Sequence, residues 1–338
     1  VVSDPGHIAK ILHSNCSVKS IGLKGAEASG FDGSESAFNL FGILKALIKD
    51  NGLNPKTYIW GTVSRPELAA AFLAAGADGI VFESIHWLTD LVDCSLDVKQ
   101  KISNLKLDHT DLVGGNLGVY CRLYNKGNSK SVKDLRHYAG SLCGAEIGQE
   151  QKDFFAERIR NQWTDALESN FGREELIPVG VEAVFAADFA REFGDSSEKA
   201  IGAFAQKIAR FLSESGLVSK KFINSEVAKE MGTTYPFIQG AMSWITDDPD
   251  FASRVAQSGA LPTIALGLMD RGTLDTKLGS LPERMNGRPF AVNVITLSEN
   301  PHREGQLAWI ESIRPRFAVV AAGEPSHASQ VKSKDRKS

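Results

Sequence analysis

The chain is poor in cysteine: Cys16, Cys94, Cys121 and Cys143 are the only four in 338 residues. They form no CxxC pair and no zinc spacing with histidine, so no metal centre is expected. Their scatter argues against a disulfide framework and for reduced thiols in a cytoplasmic protein. Charge of one sign is also lacking. A formal net charge of −3 leaves no bulk field for nucleic acid or an anionic membrane. No apolar run approaches the ~20 residues of a transmembrane helix. The first residues, VVSDPGHIAK, have neither the basic start nor the apolar centre of a signal peptide. The sequon Asn15-Cys16-Ser17 therefore reads as chance. Missing too are a GxSxG elbow, a Walker loop and a GxGxxG that opens a helix. Serine-hydrolase, nucleotide-loop and dinucleotide-fold readings thus have no foothold.

What remains is a globular composition, 42% hydrophobic and 23% charged, long enough for roughly two domains. The first ninety residues alternate strand and helix. A short buried strand is predicted at 18–23, followed by a glycine-rich loop. A helix comes next, with Phe38, Phe41, Leu44 and Ile48 on one face and Asn51-Gly52 ending it. TYIWGTV is the next strand, Ser64-Arg65-Pro66-Glu67 a capped helix start, and DGIVFES the strand after the helix. Short strand–helix–strand connections imply parallel pairing. From 96 to 215 the pattern is mainly helical, with one short strand possible in GGNLGVYCRLYNKG. Residues 216–234 read as a polar linker. Alternation then resumes at 235–338, with strands in YPFIQGAM, LPTIALGL, PFAVNVIT and FAVVAAG and helices between them. QVKSKDRKS reads as a basic polar tail.

In a (β/α)8 barrel, function sits on the loops that follow the strands. Those loops hold Lys24-Gly25-Ala26-Glu27-Ala28-Ser29-Gly30-Phe31-Asp32-Gly33, Gly61-Thr62, Gln239-Gly240-Ala241-Met242 and Asn293. Small residues let backbone approach a flat ligand closely. On these motifs the chain resembles the nitronate monooxygenase (2-nitropropane dioxygenase-like) family of flavin TIM barrels, which includes flavin enoyl reductases. Gln239–Met242 is similar to the family's Q-G-P/A-M loop, and Asn293 to its F-x-V-N asparagine. Gly25 to Gly33 is similar to its G-x-E-A-G-G-H-x-G loop, and Gly76 to Ile80 to its G-A-x-G-V strand. The resemblance covers about 20–90 and 235–327. It implies FMN as cofactor, held by Gln239, Gly240, Ala241, Met242, Asn293, Lys24, Gly25, Ala28, Ser29, Gly30 and Gly61. Acyl thioesters or small nitro compounds are the implied substrates.

The departures bear on activity. Phe31 stands where the family has its catalytic histidine, so no catalytic residue is assigned, and Asp32 beside it reads as a solvated loop acid. Glu83-Ser84 replaces the Gly-Thr that helps hold the flavin phosphate, and Trp60 is bulky where backbone should approach it. Glu27 is expected to hold its own loop through backbone amides, and His86 to be structural. The order of the halves is also reversed. Residues 1–95 resemble the closing half of one barrel and 235–338 the opening half of the next, with a helical insert at 96–215. That order, with Pro178–Ala187 and the restart QGAMSWITDDPDFA, resembles the tandem barrels of polyketide-synthase-like multienzymes and suggests a piece cut from a longer protein. Two functions follow as expectations. One is an FMN-dependent oxidoreductase-like module of a synthase. The other is a degenerate barrel that docks other synthase domains. Pairing of 1–90 with 235–327 into one permuted barrel is a further expectation.

Overall fold

The computed structural model describes residues 1–338 except 15–17, 145–146, 169–175, 298 and 334–338. Cys16, its sequon and the last five residues of the basic tail lie outside the described residues. The protein is mixed α/β and divides into two compact units, Val1–Ser215 and Gly216–Ser338.

Unit 1 runs α1 (Pro5–His13), β1 (Ser20–Lys24), β2 (Gly30–Asp32), α2 (Ala37–Asn51), β3 (Lys56–Trp60), α3 (Pro66–Ala74), β4 (Gly79–Val81) and α4 (Leu96–Ser103). It continues with β5 (Thr110–Val113), β6 (Tyr120–Tyr124), α5 (Lys130–Leu142), α6 (Gln149–Glu168), α7 (Ala186–Phe193) and α8 (Ser197–Phe222), which crosses the division. β1, β3 and β4 form the expected parallel sheet, with Lys24 opposite Trp60 and Trp60 opposite Val81. Helix α2 starts where Ser36 accepts the Asn39 amide and stops at Gly52, whose φ of 62° suits glycine. Its buried stripe is Ala37, Leu40, Phe41, Leu44 and Ile48. Phe38 was expected inside but is 70% exposed, because it stands about 100° around the helix from Ala37. The expected Ser64 cap is not made. Arg65 is the N-cap, without a side-chain bond, and Pro66 begins the helix.

The middle of unit 1 is mainly helical, with β6 in the stretch where a short strand was expected, and it adds a small sheet that was not expected. β5 and β6 form an antiparallel hairpin, and β2 joins β6 with Phe31 opposite Cys121. The glycine-rich loop after β1 is thus partly strand, in a sheet owned by the insert. Val113, Leu117, Cys121, Leu123, Phe155 and Ile159 bury one core there. The parallel sheet has another, in which Leu23, Leu40, Leu44 and Ile59 meet Phe189 of α7 and Phe204 of α8. Phe82 lies 4.9 Å from Phe204 in an edge-to-face pair.

Unit 2 contains α9 (Glu226–Met231), α10 (Pro249–Gln257), β7 (Thr263–Ala265), α11 (Arg271–Leu278), α12 (Leu281–Met285), β8 (Ala291–Ile295), α13 (Arg303–Ile313), β9 (Phe317–Ala321) and α14 (Pro325–Ser333). The expected linker at 216–234 instead holds the end of α8 and all of α9. Part of the expected tail lies in α14. YPFIQGAM was expected as a strand but is reduced to one parallel bridge, Ile238 to Leu261. β7, β8 and β9 are parallel in that order. Ile264, Val292 and Val294 pack with Leu274, Leu307 and Trp309 on one face. Both parallel sheets have three strands and stay open, and the three sheets share no strand. The expected single permuted barrel is therefore not formed among the described residues.

Phe204 is fully buried among aromatic rings, so Phe204→Ala should destabilise unit 1 by about 3–5 kcal/mol. Urea unfolding of the intact chain would measure it. A loss below about 1 kcal/mol would contradict the integration of α8 into this core.

Candidate functional site

Parallel pairing of β1, β3 and β4 brings their carboxyl ends together, and with them every site residue expected in unit 1. Gly25 N donates to Trp60 O at 3.1 Å and Ala28 N to Gly25 O at 2.9 Å. A Cβ on Gly25 would sit 2.2 Å from Ala37 N, and one on Gly61 (φ 113°) 3.0 Å from Ala28 N. The small residues are therefore required, but by the approach of the chain to itself. Glu27 holds the loop as expected: its Oε2 accepts the Ala37 amide at 3.2 Å. Ser29 N donates to Glu83 Oε2 at 2.6 Å. Lys24 Nζ donates to Ser29 O at 2.6 Å and Phe31 O at 3.0 Å, stands 3.4 Å from Asp32 Oδ1 and 3.9 Å from Glu83 Oε1, and lies over the Trp60 ring.

The insert closes this cluster. Trp163 of α6 packs over Gly30, where a Cβ would stand 3.1 Å from its Cη2, and meets the Phe31 ring edge-to-face at 5.2 Å. Arg122 Nε of β6 donates to Ala26 O at 2.5 Å. Val181 N donates to Glu27 O at 2.8 Å. Gly180 N donates to Ser84 Oγ at 2.9 Å, and Ser84 N donates to Glu182 Oε1 at 2.8 Å. Ala28 and Ser84 are wholly buried. A flavin does not fit here. The amides that would face it are engaged, the cation is paired, and the chain's own residues fill the space above the strand ends. Phe31 anchors the insert by packing against Trp163.

Asp32 corrects a second expectation. It was read as a solvated loop acid, yet its side chain has no exposure and neither oxygen has a hydrogen-bond partner. Burial pushes its pKa up to about 8; Lys24 opposes the shift and Glu83 adds to it. Glu182, 2% exposed, is pushed up to about 7, again chiefly by burial and against the Ser84 amide bond. A carboxyl out of water favours its neutral form. Arg122 and Glu182 were not expected at the site. The one available signal was a lone glutamate inside the apolar run Val179–Phe185.

Unit 2 gathers its strand ends differently. Gln239 is pinned to the start of β7: its amide donates to Leu261 O at 2.9 Å and its Oε1 accepts Thr263 N at 3.2 Å. Met242 N donates to the buried Thr246 Oγ1 at 3.0 Å. Asn293 was expected just after a strand, but lies inside β8 between Ala265 and Val319, donating to Val319 O at 3.3 Å. A Cβ on Gly240 would meet nothing within 4 Å, so Gly240 and Ala241 form no cradle against their own chain. Beyond these residues, at the carboxyl ends of β7 and β8, is a cavity of about 780 Å3 lined by Ser243, Trp244, Asp247, Ala265, Leu268, Asp270, Ile295 and Leu297, among others. Its size is that of a small-molecule site. None of Gln239, Gly240, Ala241, Met242 or Asn293 lines it; Met242 adjoins the lining residue Ser243. Of its lining, Ser243, Trp244 and Asp247 lie one, two and five positions past Met242, and Ile295 and Leu297 two and four past Asn293. For a flavin, the apolar walls suit the ring, but no lysine or arginine lines the cavity to meet the phosphate. Among the described residues no group of acids, histidines and cysteines could hold a metal ion, and no helix is long and apolar enough to cross a membrane.

No family model and no curated protein matches the chain. Among solved structures it is similar to FabK from Thermotoga maritima, at 15% identity and a TM-score of 0.48, covering 66% of this chain and 62% of that one. A nitroalkane oxidase from Streptomyces ansochromogenes gives 15%, 0.43, 63% and 57% for the same measures. The enoyl reductase domain of MlnA from the macrolactin cluster of Bacillus amyloliquefaciens gives 12%, 0.41, 58% and 58%. The chain thus spans less than two thirds of each. Likeness at this level establishes neither family nor activity.

Raised carboxyl pKa values give unit 1 a definite pH response. A carboxyl whose folded pKa exceeds its unfolded value contributes fully below the unfolded pKa and loses that contribution as pH rises through the folded one. For Asp32 and Glu182 the loss spans about pH 4 to 8. Asp32→Asn should therefore match the parent in Tm near pH 4, exceed it increasingly up to about pH 8 and hold that margin at pH 9. A thermal melt series that shows a pH-independent difference would contradict the burial of an acid at this position.

Proposed function

We propose that this chain is a flavin-dependent oxidoreductase-like module, of the nitronate monooxygenase and enoyl reductase kind, in which unit 2 alone keeps room for the flavin ring. In this reading unit 1 carries the closing half of one (β/α)8 barrel and unit 2 the opening half of a second. The supporting observation is the cavity of about 780 Å3 at the carboxyl ends of β7 and β8, which is where parallel α/β sheets place their ligands. Gln239 and Met242, tied to β7 and to Thr246, would steer the backbone turn that enters the cavity. When bound, FMN would supply hydride transfer to an acyl thioester or oxidation of a small nitro compound. A multifunctional synthase, with other synthase domains as partners, is the context proposed from the tandem order of the halves.

A second reading has its own support. The sealed cluster around Lys24, Asp32 and Glu83 leaves no room for a ligand at these strand ends and suits a structural or docking role. The two readings share unit 1 and differ over unit 2.

Addition of FMN or riboflavin to the purified chain should quench flavin fluorescence or perturb its visible absorbance, with one ring bound per chain. Gly267→Trp, which fills the cavity next to Ser243, should abolish the change, whereas Gly30→Ala in unit 1 should leave it intact. Absence of any flavin binding would leave the docking role as the function of both units.

A further inference from the structure

We propose that the cavity of unit 2 accepts an uncharged planar ring, stacked on Trp244, and selects against anionic ligands, so that it would hold a flavin by the ring with no help from its phosphate. The inference rests on the flavin reading of this cavity and adds its charge selectivity and its stacking residue.

Two observations lead to it. Trp244 is 91% exposed and its backbone lies in the left-handed region, φ 70°. A bulky residue there is a true outlier, and such strain persists only where surrounding structure enforces it. Here the enforcement is visible. Ile245 N and Thr246 N both donate to Met242 O, at 3.2 and 2.9 Å, and Met242 N donates to the fully buried Thr246 Oγ1. The following Asp247 is tied to Lys277 Nζ at 2.7 Å. The turn is anchored on one side by buried polar bonds and holds the indole at the cavity wall instead of in the core. An indole left in water is a stacking surface for a flat partner.

The second observation is the sign of the charge. The charged residues lining the cavity are Asp270, Glu299 and Asp247, the last already paired with Lys277, with no lysine or arginine among them. The amino end of α11 opens onto the cavity and would ordinarily attract an anion. Asp270 already takes that place: its Oδ1 accepts the Thr273 amide at 2.8 Å. The amino end of α13 approaches the same wall at Asn300 and Pro301. There Asn300 Oδ1 accepts the His302 amide at 3.0 Å, and Glu304 lies in the first turn. The end of α11 is thus filled by the chain's own carboxylate, which adds a negative charge, and the first turn of α13 carries an acid. The remaining walls, Leu268, Ile295 and Leu297, are apolar.

Riboflavin and FMN share one ring and differ by the phosphate, so they separate the two claims. Fluorescence titrations at low salt should show riboflavin bound about fivefold more tightly than FMN, with the gap closing as salt is raised. Trp244→Ala should weaken riboflavin by roughly tenfold while leaving the unfolding transition unchanged. Asp270→Asn, which keeps the helix cap, should improve FMN and leave riboflavin where it was. If FMN binds more tightly than riboflavin, or Trp244→Ala binds riboflavin as the parent does, the inference falls and the flavin reading stands. If neither ligand binds, the flavin reading itself falls, and this inference with it.

Discussion

Ser84 holds unit 1 together as a working whole. Its amide donates to Glu182 and its hydroxyl accepts from Gly180, so one residue at the end of β4 fastens the insert onto the parallel sheet. Around it lie Lys24, Asp32, Glu83 and Arg122, all partly or wholly removed from water. Charges placed there are tolerable only because they face one another and because two carboxyls lean towards their neutral forms. The glycines and alanine of the β1 loop must be small for the same reason, since the insert and α2 lie directly against them. A loop composition that commonly signals an open ligand cradle has here been used to let the chain close on itself.

Unit 2 presents the opposite solution to the same topology. Its parallel sheet buries one face against α11 and α13 and leaves the strand ends open. Among the described residues, no segment of unit 2 crosses the cavity as Trp163 crosses Gly30. The difference between the units is therefore one of cover, and it decides which of them has room for a ligand.

Much of this order was legible in the sequence, and the failures share causes. The strand–helix alternation at 20–81 and 249–321 followed from apolar spacing and from breakers such as Asn51-Gly52, which are local signals. The loops at the carboxyl ends were found for the same reason, and the small residues there do meet. Phe38, Ser64 and the strand at 235–242 failed because helix phase, capping and pairing depend on neighbours distant in sequence. β2 was missed because its partner, β6, lies some ninety residues on. Asp32 was misread for a related reason: its burial comes with the pairing of β2 to β6, which brings Arg122 and Cys121 near it, and nothing beside Asp32 in sequence announces that. The cavity lining was missed because the motifs stop one turn before it.

The joining of β2 to β6 also bears on how unit 1 comes to be folded. Contacts such as Ser84 to Glu182 span 98 residues, and each such contact closes a long loop before it returns any stabilisation. The parallel sheet can gather from nearby segments, but its carboxyl-end loops have no settled conformation until the insert has arrived. On a ribosome, the first ninety residues emerge well before Glu182. The nascent chain therefore carries, for that interval, an unsealed glycine-rich rim, with Lys24 facing only Asp32 and Glu83 of the same ninety residues. Completion of unit 1 is set by the slow arrival of its lid, and the sheet waits for it.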